Sequence, residues 1–134
     1  MTEPLILLLV EDDPDDIELF KELLSSHHVE HHLNVIIRGD EVLPYLEKCT
    51  TLPTEIILDL NLPKMHGKEV LKALKRHPRF HQIPVIILTT SAAKKDVEDC
   101  LNSGAEKFLT KPTNTSGFKN MIDAVVKVGQ QLRC

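Results

Sequence analysis

The sequence predicts an α/β protein, a doubly wound sandwich with one parallel five-stranded sheet and helices on both faces. Three observations carry this. Five short runs are nearly continuous in Leu, Ile and Val, the pattern of strands buried on both faces. Between them lie longer stretches whose apolar residues recur at helical spacing. The two patterns alternate along the chain, which implies successive βα units joined by right-handed crossovers.

The first strand is LILLLV, Leu5–Val10. Asp13 then precedes Pro14, a capping acid followed by the favoured first-turn proline. Asp15 and Asp16 fall in the first helical turn, where the macrodipole favours negative charge, and Glu18 should be exposed. Ile17, Phe20, Leu23 and Leu24 give that helix one apolar face. HHVEHH, His27–His32, reads as a polar connection with solvated histidines. Its i,i+4 pairs, His27/His31 and His28/His32, would suit a metal only on a helix. LNVIIR, Leu33–Arg38, is the second strand, and a helix from Asp40 to Lys48 follows, with Pro44 an awkward early member. EIILDL, Glu55–Leu60, is the third strand. Val70, Leu71 and Leu74 after Gly67 mark the third helix, whose Lys68, Lys72, Lys75 and Arg76 read as a solvated face, with partner docking the alternative. PVIILTT, Pro84–Thr90, is the fourth strand. Val97, Cys100 and Leu101 face a helix that stops at Gly104. KFLT, Lys107–Thr110, is the fifth strand, and Phe118, Met121, Ile122, Val125 and Val126 stripe the last helix. The expected strand order is 2-1-3-4-5, flavodoxin-like.

Composition narrows the function classes. The chain has 134 residues, enough for one ordinary domain, and a net charge of -4, which argues against a non-specific nucleic-acid binder. Three cysteines, Cys49, Cys100 and Cys134, form no CxxC and read as free thiols in a reducing cytoplasm. The first apolar run is too short for a signal peptide, and no run reaches membrane-spanning length. A cytoplasmic protein without DNA or membrane partners is expected.

In doubly wound sheets, ligands bind outside the carboxyl ends of the strands. The first strand ends in Glu11-Asp12, the third in Asp59, the fourth in Thr89-Thr90 and the fifth in Thr110-Lys111-Pro112. In the expected order these meet on one rim. Two carboxylates about 5 Å apart repel by roughly 3 kcal/mol at an effective dielectric near 20. A divalent cation removes that cost, and an all-oxygen, half-open site favours Mg²⁺. Lys111 and the Thr89 hydroxyl suit phosphate oxygens. The chemistry implied is phosphoryl transfer with a carboxylate as nucleophile.

LLVEDDPDD, IILDLNLPKMHG, PVIILTTS and FLTKP resemble, in order and spacing, the motifs of bacterial response-regulator receiver domains, over about Leu5 to Leu132. The resemblance implies that Asp59 accepts the phosphoryl group. Glu11, Asp12 and Asp59, with the backbone carbonyl of Asn61, would hold Mg²⁺. Thr89 and Lys111 would contact the phosphate, and Phe108 would stand at the aromatic switch position, with a plain core aromatic as the alternative. Asn61 and Ser91 would tune phosphate lifetime. The family often has a cis peptide at the position before Pro112. Three departures stand out. Glu11 replaces an aspartate and should set its carboxylate further out. His66 replaces the aspartate of a Met-Asp-Gly turn. Thr90 replaces a small apolar residue.

The expectation is a single receiver domain over residues 1–134, without an output domain and not itself an enzyme. It would take phosphate from a sensor histidine kinase and signal by protein-protein contact, through a downstream partner, a homodimer or phosphate relay. LDLNLP and LTTS look most like single-domain regulators paired with bacterial phytochromes. Two rivals remain. A haloacid-dehalogenase-type phosphatase needs DxD at the nucleophile, where this chain has Asp59 and Asn61. A phosphate-independent receiver-like binding module would be marked by loss of Asp59 or Lys111.

Overall fold

The computed structural model describes residues 4–90, 93–112 and 114–131. Five parallel strands, β1 (Leu5–Val10), β2 (His31–Ile36), β3 (Glu55–Leu58), β4 (Val85–Thr89) and β5 (Lys107–Thr110), lie in the order β2-β1-β3-β4-β5. The helices are α1 (Pro14–Ser25), α2 (Val42–Lys48), α3 (Gly67–Arg76), α4 (Lys94–Asn102) and α5 (Thr115–Gln131).

Strand side chains alternate between two cores. Leu8, Val10, Ile56, Leu58, Val85 and Ile87 pack with Val42, Leu46, Val70, Leu71, Leu74 and Cys100, on the side of α2, α3 and α4. Leu7, Leu9, Ile57, Ile86 and Leu88 pack with Phe20, Leu24, Phe118, Ile122 and Val125, on the side of α1 and α5. Both faces of the central strands are therefore buried, which is why their sequences are continuously apolar.

Several boundaries differ from expectation. β2 begins two residues early, at His31, because Leu5 of β1 pairs with it. The last two residues of HHVEHH are thus strand, and the helical i,i+4 pairs do not exist. His27 instead meets Asp123 of α5, Nε2 to Oδ1 at 2.8 Å. Ile37, expected inside the strand, is 53% exposed. β3 and β4 are shorter than their apolar runs, so Asp59 and Leu60 follow β3 as a turn.

Residues Gly39–Glu41 form a 3₁₀ turn ahead of α2. Pro44 is the third residue of α2, where a backbone N–H has no intrahelical acceptor to lose. Leu101 is 47% exposed despite its place in the apolar pattern of α4. The basic face of α3 is less solvated than expected. Lys68 pairs with Asp96 and with Asp99 of α4, while Lys75 Nζ donates to the carbonyls of His81 and Ile83. Among the described residues no peptide bond is cis, so Lys111-Pro112 is trans, and the long lysine stem alone carries its ammonium inward. Among the described residues, no helix is long and apolar enough to cross a membrane.

Candidate functional site: a carboxylate rim with a captive lysine

The sheet brings the acidic strand ends together by extending its ladder one step. Glu11 N–H donates to the carbonyl of Ile36 and Asp59 N–H to that of Val10, each at 3.0 Å. Glu11, Asp12 and Asp59 then offer carboxylate oxygens that all lie within 4.8 Å of one another. Glu11 and Asp59 are buried and Asp12 is exposed. The long Glu11 side chain does not reach outward. It folds back on its own loop, where Oε2 accepts from the backbone N–H groups of Asp12 and Asp13 at 3.1 and 3.2 Å.

Lys111 closes the rim. Its backbone N–H donates to the Thr89 carbonyl at 2.8 Å, and Thr89 pairs with Thr110 across β4 and β5. The Lys111 side chain is 8% exposed, and its ammonium pairs with Glu11, with Asp59 Oδ2 at 3.1 Å and with Asp16 Oδ2 at 2.9 Å. Burial works against its charge, but Glu11, Asp16 and Asp59 outweigh burial and hold the pKa above the ordinary lysine value. Burial also pushes the Glu11 carboxyl up to about 7, with Lys111 opposing and Asp59 reinforcing. A partly buried cluster of like charges with one cation is what a hard dication would relieve. The donor set, all carboxylate oxygen, fits one.

The loop after Asp59 is tightly built. Asn61 is exposed, and its N–H donates to Asp59 Oδ1 at 3.2 Å. Gly67 N–H donates to the Leu60 carbonyl at 2.7 Å. A Cβ on Gly67 would fall 2.3 Å from the Asp59 carbonyl oxygen, so only glycine allows this approach. Gly39 is equally confined, since its Cβ would meet the Met65 carbonyl oxygen at 2.1 Å. His66 takes the place of the expected aspartate as the cap of α3, with Nδ1 accepting from Lys68 N–H at 3.1 Å.

Thr89 is fully buried at the end of β4. Phe108 is half-buried and packs against the core shared by α2, α3 and α4. Ser91 lies outside the described residues. Asp13 caps α1, with Oδ1 accepting from Asp15 N–H at 2.9 Å and Asp16 N–H at 3.3 Å. Sequence reasoning gave Asp16 only a helix-start role and missed its contact with Lys111. The one signal available was its spacing, one helical turn beyond Asp12.

The model of the response regulator receiver domain matches residues 7–123. The response regulator Rcp1 of Synechocystis is 34% identical over 127 residues, covering 91% of this chain and 86% of that protein. A crystal structure of the Mn²⁺-bound form of Rcp1 aligns with a TM-score of 0.85 at 34% identity, over 91% of each chain. The phosphorylated cyanobacterial phytochrome response regulator RcpA aligns with a TM-score of 0.87 at 32% identity, over 92% of this chain and 91% of its own. Sheet order, the carboxylates at the strand ends and a match spanning most of the sequence agree, and the chain belongs to the response regulator receiver domain family.

Proposed function

We propose that Asp59 accepts a phosphoryl group from the phosphohistidine of a sensor histidine kinase. The observation that carries this is the grouping of Glu11, Asp12 and Asp59 within 4.8 Å, with the Lys111 ammonium bonded to Asp59 Oδ2. Asp59 Oδ attacks phosphorus, the P–N bond breaks, and the leaving imidazole takes up a proton. Glu11, Asp12, Asp59 and the Asn61 carbonyl would hold Mg²⁺. Bound there, the cation would neutralise phosphoryl oxygens and oppose repulsion between them and the carboxylates.

Lys111 is already at the rim and can exchange a carboxylate oxygen for a phosphoryl oxygen. The buried Thr89 hydroxyl can donate to another. By the family resemblance, Asn61 and Ser91 would tune the lifetime of the acyl phosphate. Phe108, on the α4 side of β5, is suited to report the change to a protein partner. RcpA is named a phytochrome response regulator, which supports a phytochrome-type kinase as the phosphate donor. The phosphatase reading is weaker, because a haloacid-dehalogenase-type acid two residues past the nucleophile is here Asn61.

Incubation with acetyl phosphate and Mg²⁺ should add one phosphoryl group to the intact mass, and Asp59→Asn should remove it. Persistent labelling of Asp59→Asn would overturn the assignment. Turnover of simple phosphate esters would favour the phosphatase.

A further inference from the structure

An acid in the first turn of a helix needs no explanation beyond the macrodipole, and Asp15 is explained that way. Asp16 is different. It is intermediate in exposure, its side chain 28% exposed, and its Oδ2 accepts from Lys111 Nζ at 2.9 Å. A lysine ammonium has three donors, and here three carboxylates, Glu11, Asp16 and Asp59, surround it. Two of these belong to the carboxylate group that suits a dication, and Asp16 does not.

Ammonium and dication compete for the same oxygens. Lys111 must loosen from Glu11 and Asp59 when those carboxylates turn to a cation, and again when Asp59 becomes an acyl phosphate. Asp16 keeps its oxygens throughout. It is held in place by the Asp13 cap below it and by the packing of Phe20 further along α1.

We propose that Asp16 is a positioning residue: it retains the Lys111 ammonium at the rim while Glu11 and Asp59 change partners. This rests on the reading of Asp59 as phospho-acceptor. Asp16 itself touches neither the phosphoryl group nor the cation. Without it, Lys111 has only Glu11 and Asp59 to hold and competes harder with the cation.

The test is a double-mutant cycle on Mg²⁺ affinity, by calorimetry on the unphosphorylated full chain. Asp16→Asn should weaken Mg²⁺ binding roughly tenfold, the lower end of the scale of one charged hydrogen bond. In a Lys111→Gln background the same change should have an effect of about twofold at most. Asp16→Glu should restore most of the affinity. Equal losses in both backgrounds would show Asp16 acting as a distant charge, and no loss in wild type would leave it an ordinary helix-start acid. Either result overturns the proposal.

Should Lys111→Gln fail to fold, the Lys111 ammonium ¹H–¹⁵N resonance gives a second reading. It should survive saturating Mg²⁺ in the wild type and vanish in Asp16→Asn, and loss in both proteins would overturn the proposal. Labelling of Asp59→Asn by acetyl phosphate would instead refute the acceptor assignment, independently of the Mg²⁺ cycle.

Discussion

Glu55 offers a test of the fold at the end of the sheet opposite the rim. It opens β3, is fully buried, and neither carboxylate oxygen has a hydrogen-bond partner. It lies against the close approach of α5 to β1, where a Cβ on Gly129 would meet Leu5 Cδ2 at 3.0 Å and Glu55 Oε1 at 3.2 Å. Burial pushes its carboxyl up from 4.5 to about 8.

The folded state therefore keeps a proton that the unfolded chain releases near pH 4.5. Between those values the native state binds more protons, so stability is present at low pH and falls as pH rises. Each pH unit in that window is worth about 1.4 kcal/mol, which gives on the order of 3 kcal/mol lost between pH 4.5 and pH 7. Glu55→Gln keeps the shape and removes the titration. Relative to wild type, the variant should gain about 3 kcal/mol from pH 4 to pH 7. Glu11, also raised, slopes the same way in both proteins and cancels. The chain has no Trp, so urea unfolding is followed by far-UV circular dichroism at a series of pH values. Parallel stability curves for the two proteins would refute the reasoning, because Glu55 would then be solvated or paired in the native state.

Removing the captive cation should expose the carboxylates to one another. Lys111→Ala should cost on the order of 3–5 kcal/mol in urea unfolding, with part recovered on adding Mg²⁺. His66→Ala should cost about 1 kcal/mol by loss of the α3 cap, whereas His66→Asp should retain it, again read by urea unfolding. Gly67→Ala puts a methyl 2.3 Å from the Asp59 carbonyl oxygen. It should lower stability by about 1–3 kcal/mol and slow phosphoryl labelling of Asp59, followed by intact mass against time.

What the sequence revealed depended on burial and on distance along the chain. β1, β3 and β4 are buried on both faces, so their apolar runs announced them and the acids at their ends. β2 lies at the edge of the sheet and alternates between exposed and half-buried positions. Its first residues are histidines, and its pairing with Leu5 fixes a register that composition does not reveal. Ile37 and Leu101 look like core residues and are not: Ile37 lies just past the end of β2 and Leu101 is on the exposed side of α4.

The grouping of Glu11, Asp12, Asp59 and Lys111 was legible because each follows a strand. Asp16 was not. Its contact spans 95 positions of sequence, and locally it is indistinguishable from Asp15. Gly39 against Met65 was hidden for the same reason, since it depends on backbone that folds back from elsewhere.

The proposed acceptor of the phosphoryl group is Asp59. Borohydride reduces an acyl phosphate to an alcohol, so treating the phosphorylated chain and sequencing its peptides by mass spectrometry marks the acceptor directly. Homoserine is expected at position 59, dependent on Mg²⁺ and absent without acetyl phosphate. Reduction at Asp12 or Asp16, or an acid-stable phosphate on a hydroxyl or histidine, would contradict it.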